Sequence, residues 1–466
     1  MAMAGNGSVA ERAQAQLAGL GGNQARSGVV RCLAPPLPWA ALSFALVAVA
    51  GWPKTPPLIA DSIAYRALAL GRFGDVPGSI SGRVLHPAFV RFVSWAAGLN
   101  IDQAFLVAAL IALALLIGTV AWTVRQVTGS GALVLPLLFT PVLVDEMFGL
   151  YYCQDLFYAA LLGCFFVTLI KGRTRLAPVF LFPLYLTRES TILLAAVWAS
   201  IAWFESDFLI VGICVAVTIA GLLVSREFAS LGAPNIHHAN EFVFLALKPP
   251  FDLLRNLLGI VLVPSEMRGM PGFTCPLAHM VHLPWYLRYG FTNQFGICYP
   301  EPQIPLHTFT LWLSLFGIGP AVVWAFLGRN NGWRDLVDSP LWLKLATTYG
   351  LLAFFIAPAV SFWLERDIGY AWPVFWLAAP ALFMMVCPVA THGVVAALLL
   401  ENLAACWIPY ALGLSSHHRE IFLVAALCVA LAMQGAALWT LGGKSAMRDL
   451  QGLVRDESLR ADVAAH

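Results

Sequence analysis

An acid, a tyrosine, an arginine and a histidine stand close together early in this chain: Asp61 and Tyr65 in DSIAY, Arg83 and His86 in GRVLHP. Residues four apart share one face of a helix, so Asp61 and Tyr65 point the same way. A carboxylate there can take the proton of an attacking hydroxyl, which is general-base work. Arg83 and His86 suit phosphate oxygens, the arginine through a two-pronged charge-assisted contact. Spacing alone serves a second reading equally well, in which Asp61 caps a helix and Arg83 reaches out to headgroups.

Other polar groups interrupt apolar sequence further on. Asp145, Glu146, Gln154 and Asp155 lie in VDEMFGLYYCQD and offer enough oxygens for a divalent cation or the hydroxyls of a sugar. A solvated turn is the plainer reading of the same residues. Arg188 and Glu189, in LTRES, either pair with each other or face a polar interior, because ionisable groups inside membrane segments are costly. Arg255 in DLLRNLL and Arg366 in FWLERDIGYAWP are cations suited to a phosphate leaving group, or to snorkelling. Cys275, His279 and His282 fall at helical spacing with Cys298 after them, a loose zinc-like set that fits no finger pattern. Cys275 and Cys298 also leave a disulfide open in an oxidising compartment. No G-x-S-x-G elbow, Walker loop or H-E-x-x-H occurs.

The elements that must position these residues are membrane helices. Of 466 residues, 60% are hydrophobic and 11% charged, and the mean hydropathy is +0.78. Such a chain has most of its length in lipid. Spanning the hydrocarbon takes about 20 mostly apolar residues as a helix, and open strands are excluded there. Twelve stretches qualify: 36–53, 104–124, 132–147, 153–170, 176–204, 208–225, 240–264, 308–328, 340–363, 369–388, 392–413 and 419–442. The predicted fold is therefore all-α and polytopic, with 36–442 as one transmembrane domain. Residues 1–35 read as a disordered leader without an apolar signal core, and 443–466 as a basic tail.

Basic turns set the orientation. Lys171, Arg173 and Arg175, then Arg329 and Arg334, then Lys444 and Arg448, mark the cytoplasmic side and put both termini there. The long loops 54–103 and 265–307 then fall outside. The first breaks the positive-inside rule with Lys54, Arg66, Arg72, Arg83 and Arg91, which suggests that these cations serve a ligand. It reads as two amphipathic helices, one from Asp61 through IAYRALALGRF and one in PAFVRFVSWAAGL from Pro87, lying on the membrane surface. The formal charge of +2 gives nucleic acid no foothold.

Taken together, the placement of these motifs resembles the polytopic GT-C glycosyltransferases. The likeness rests on Asp61 just after the first span, the acidic turn Asp145-Glu146 after the third, and the late pattern Glu365, Arg366, Tyr370, Pro373. It covers roughly residues 36 to 390. The resemblance implies an inverting transfer of a single sugar from a polyprenyl-phosphate donor to an envelope glycan, lipid or protein, on the outer face of a bacterial inner membrane. It implies Asp61 as the base and Arg83, Arg255 or Arg366 on the donor phosphate. Tyr65, His86, Asp145, Glu146 and Asp155 would line the substrates. No cofactor is implied beyond the lipid-linked sugar, and no metal. Two other functions stay open: a secondary transporter or lipid flippase, and a surface-polysaccharide polymerase or ligase using Arg268, Arg288, His279 and His282.

Overall fold

In a computed structural model the chain is described over residues 36–52, 60–128, 131, 133–233, 241–264, 279–282, 294–298, 303–329, 331–360, 364–386, 392–414 and 420–441. The expected leader and tail lie outside these residues, as does Cys275 and with it the question of its disulfide. So do Arg268 and Arg288.

Helices dominate. Each of the twelve apolar stretches carries helix, but five described helices are long and apolar enough to cross a membrane: Ile101–Thr128, Phe208–Ser230, Leu341–Val360, Leu364–Val386 and Glu420–Leu441. A sixth crossing arises if Gln303–Ser314 and Gly319–Leu327, bent by 73°, count as one. Gly317 makes that bend with a φ of +58°, which favours glycine. Pro136 and Pro141 confine the stretch 132–147 to a short helix, Val134–Leu138, and a π-helical segment, Val142–Phe148. The stretch 176–204 is broken at Arg188–Ser190, between helices Leu181–Thr187 and Thr191–Phe204.

Lipid exposure is written in the packing. Phe208–Ser230 buries Ile210, Cys214 and Gly221 and leaves Leu209, Val215, Ile219 and Leu223 exposed. A helix apolar on all sides, with its outer faces uncovered, needs an apolar solvent. The protein is an integral membrane protein.

Between the apolar helix Pro36–Ala50 and Ile101–Thr128 lie helices Ala60–Ala69 and Leu85–Ala97. Asp61 stands in the first turn of the former, where its charge suits the helix dipole. The latter buries His86, Val90 and Val93 and turns Phe92 and Trp95 outward, an apolar edge beside Arg91. It ends at Gly98, φ +64°, and Asn100 opens the next helix. Asn100 and Gln103 cap each other reciprocally, side chain to backbone, at 2.9 and 3.3 Å.

The expected span 240–264 is helical only to Leu258. Its last residues form β1 (Val261–Pro264), which joins two strands of the second long loop in an antiparallel sheet of order β1, β3 (Gln294–Cys298), β2 (His279–His282). Val261 stands opposite Cys298, and His279 opposite Ile297. Because His279 and His282 sit on a strand, the helical spacing on which the zinc-like set rested does not apply.

Candidate functional site

Three consecutive charges at the head of the 364–386 segment organise the site. Neighbouring helical residues project about 100° apart, so Glu365, Arg366 and Asp367 fan towards three different elements. Arg366 donates Nη1 to Asp61 at 2.6 Å and Nε to Asp155 at 2.7 Å. Asp367 receives Arg188 Nη2 at 2.7 Å. Glu365 meets His307 Nε2 at 2.6 Å.

Asp155 is the hub. It sits in the first turn of helix Asp155–Ile170, 2% exposed, and Arg188 Nη1 reaches its second oxygen at 2.9 Å. Tyr370 closes the knot: its hydroxyl donates to Asp155 and accepts from Arg188, whose guanidinium lies 4.1 Å from the ring centroid. Two cations and a phenol thus neutralise one buried carboxylate, as a charge so far from water requires. Arg188 and Glu189 do not pair with each other. Glu189 turns instead to Arg83, which donates Nε at 3.0 Å and Nη2 at 2.5 Å.

The 60–69 helix faces this cluster. Asp61 takes Arg366, and one turn later the Tyr65 hydroxyl accepts from Arg83 Nη1 at 3.1 Å. Exposure separates the carboxylates: Asp61 is 33% and Glu189 52% exposed, against 17% for Asp367 and 2% for Asp155. Burial pushes the Asp61 carboxyl up. Arg366 outweighs that, with Arg83 and Arg188 behind it, and holds the group below its ordinary 3.8. Burial also pushes the Tyr65 phenol up to about 12, against the pull of Arg83 and Arg366, so it stays neutral.

His86, expected to line the substrates, is packed among aromatic rings. It is 2% exposed, between Phe105 and Phe157 at 5.5 and 5.4 Å, with Tyr65 at 6.4 Å. Burial pulls its pKa down to about 4 despite the field of Asp155, so it is neutral at pH 7 and carries no charge for a phosphate. Its Nδ1 has no protein partner, nor has Arg366 Nη2 or either amide atom of Gln154. The hydrogen bonds that Asp155 receives engage both its oxygens with protein groups, and through them it orients Arg188 and Arg366.

Asp145 and Glu146 are not brought into this network. They lie in the π-helical segment, where Asp145 bonds to Tyr410, and both impose their fields on that tyrosine together with Glu365. Arg255, near the end of helix Glu241–Leu258, donates to Asn256 at 3.3 Å and acts on Glu365. These residues form a second polar group, around His307 and Glu365, next to the first along the chain. An apolar cleft lined by Leu133, Leu137, Val322, Phe375 and Phe383 contains neither group. Among the described residues no three His, Cys, Asp or Glu side chains are placed to share a metal ion.

Comparison with protein-family models, with curated proteins and with solved structures returns no match for this chain. The site stands on its geometry. That geometry adds Arg188, Glu189, Asp367, Tyr370 and His307 to the residues the sequence had proposed for it. Arg188, Glu189 and Tyr370 were visible as charges or motif positions in apolar sequence. Asp367 and His307 gave no local signal.

Proposed function

We propose that this protein is a membrane glycosyltransferase that moves one sugar from a polyprenyl-phosphate donor to a hydroxyl-bearing acceptor, with Asp61 as general base. One observation carries the proposal: a partly exposed carboxylate in contact with a guanidinium, with two further arginines close by, beside helices that face lipid. That is the charge pattern a phosphate leaving group and an acceptor proton need side by side.

In this reading the acceptor oxygen attacks the anomeric carbon as the bond to the donor phosphate breaks, inverting the centre. The acceptor proton passes to Asp61, and the phosphate leaves with its negative charge held by Arg83 and Arg366. A carboxylate of lowered pKa is ionised throughout the neutral range. It suffices as a base because the acceptor hydroxyl becomes acidic only as the new bond forms on an oxocarbenium-like centre. Asp155, Arg188 and Tyr370 hold Arg366 in place. The proposal extends to the GT-C likeness, to about twelve crossings in which the shorter apolar helices take part, and to a site on the outer face with both termini inside.

Purified protein in lipid nanodiscs, given a radiolabelled polyprenyl-phosphate sugar and candidate acceptors, tests this reading. Label should move to an acceptor with release of polyprenyl phosphate. No transfer from any such donor, together with solute counterflow in proteoliposomes, would favour a transporter instead.

A further inference from the structure

The three arginines share one arrangement, and it has a layered order. Each guanidinium holds an inner, buried partner and an outer carboxylate nearer the surface. For Arg366 these are Asp155 and Asp61; for Arg188, Asp155 and Asp367. For Arg83 they are the Tyr65 hydroxyl and Glu189. The inner contacts fix each guanidinium. Tyr65 and Glu189 between them engage all three nitrogens of Arg83, so another anion there has to displace one of them, whereas Arg366 keeps Nη2 without a protein partner.

Arg83 and Arg366 belong together. They bind Tyr65 and Asp61, whose positions on the 60–69 helix differ by four residues, about 6 Å of rise. Two guanidinium groups held by partners one turn apart can grip the oxygens of a single phosphate or diphosphate between them. Of the two outer carboxylates, Glu189 is the more exposed, and it sits in the break between helices Leu181–Thr187 and Thr191–Phe204. Both its oxygens go to Arg83.

We propose that Arg83 and Arg366 form one phosphate-binding site, kept closed by Glu189 and Asp61 in the free protein, and that a lipid phosphate enters by displacing Glu189 from Arg83. The proposal rests on the reading that the donor carries phosphate, and it gives Glu189 a role there that sequence did not. A site whose own carboxylate must leave binds its ligand more weakly in proportion to the fraction of time it stands open. Glu189→Gln removes the competing charge and keeps the shape.

The experiment measures binding of geranylgeranyl phosphate and, separately, inorganic pyrophosphate to the purified full chain in detergent. Glu189→Gln should bind the lipid phosphate about tenfold more tightly than wild type, as for a site open about a tenth of the time. Arg83→Gln should weaken binding, and Arg83→Gln with Glu189→Gln should show no gain. An equal gain for pyrophosphate assigns recognition to the phosphate alone; a gain confined to the lipid adds a contribution from its chain. Glu189→Asp, which keeps the charge but shortens its reach, should give a smaller gain. Wild-type or weaker affinity in whichever of these Glu189 variants retains the wild-type melting temperature overturns the proposal. Sugar transfer is not read here. Glu189-dependent binding here, with no transfer in the nanodisc assay, would sink the glycosyltransferase reading and leave the gated site standing.

Discussion

Asp61 and Asp155 grip two edges of the same guanidinium, that of Arg366, at 2.6 and 2.7 Å. The near-equal distances conceal unequal positions. Asp155 is enclosed and also holds Arg188 and Tyr370, whereas Asp61 opens to the surface. One carboxylate builds the site and the other is free to act in it.

The two should therefore respond differently to loss of charge. Asp155→Asn leaves Arg366, buried, and Arg188, mostly buried, without the enclosed carboxylate they share and should cost about 3–5 kcal/mol. Asp61→Asn, at a part-exposed pair, should cost no more than about 1 kcal/mol. Thermal unfolding of both variants in the same detergent checks the order. Equal losses would mean that the two carboxylates do the same structural work.

His86 makes stability depend on pH. Its pKa falls from 6.5 to about 4 on folding. Between those values the unfolded chain binds a proton there and the folded chain does not, so stability falls as pH drops. The loss should reach roughly 3 kcal/mol at pH 4 and then stop growing. His86→Gln should remove this component from the pH profile of the melting temperature. An unchanged profile would contradict the buried, neutral histidine.

Arg188 spans Asp155 and Asp367 with two nitrogens of one planar group and stacks on Tyr370. A lysine is a single point charge and cannot reproduce that fork. Arg188→Lys should cost about 2 kcal/mol, the scale of a lost hydrogen bond to a charged group. Arg66→Ala, at the open Arg66–Asp102 pair, should stay within about 1 kcal/mol and serves as the comparison. Chemical denaturation read by tryptophan fluorescence separates the two.

Part of this site is legible in the amino-acid sequence alone. Asp61 and Tyr65 declare a shared face by their spacing, and Arg366 stands out in an apolar span. The helices of the first long loop follow from their apolar period and from the break between Gly71 and Gly82. Partnerships are not legible. Arg188 finds Asp367 across 179 residues, Arg83 finds Glu189 across 106, and Glu365 finds His307 across 58. Local periodicity carries no information on such pairings, and so Arg188 and Glu189, adjacent in sequence, invite a pairing with each other that the fold does not make. The burial of His86 is hidden for a related reason, since Phe105 and Phe157 impose it from other helices. Hydropathy finds the apolar stretches but not their breaks. Proline and glycine decide some of those, as Pro136, Pro141 and Gly317 do here, but the break at Arg188–Ser190 contains neither.

The central claim is that Asp61 takes the proton of the acceptor. It is tested most directly by sugar transfer from a radiolabelled polyprenyl-phosphate donor, comparing wild type with Asp61→Asn at matched melting temperature and matched donor binding. The mechanism predicts a fall in kcat of at least about 100-fold, the scale of a lost general base, with donor affinity kept or improved. A folded Asp61→Asn protein that transfers sugar at the wild-type rate would contradict it.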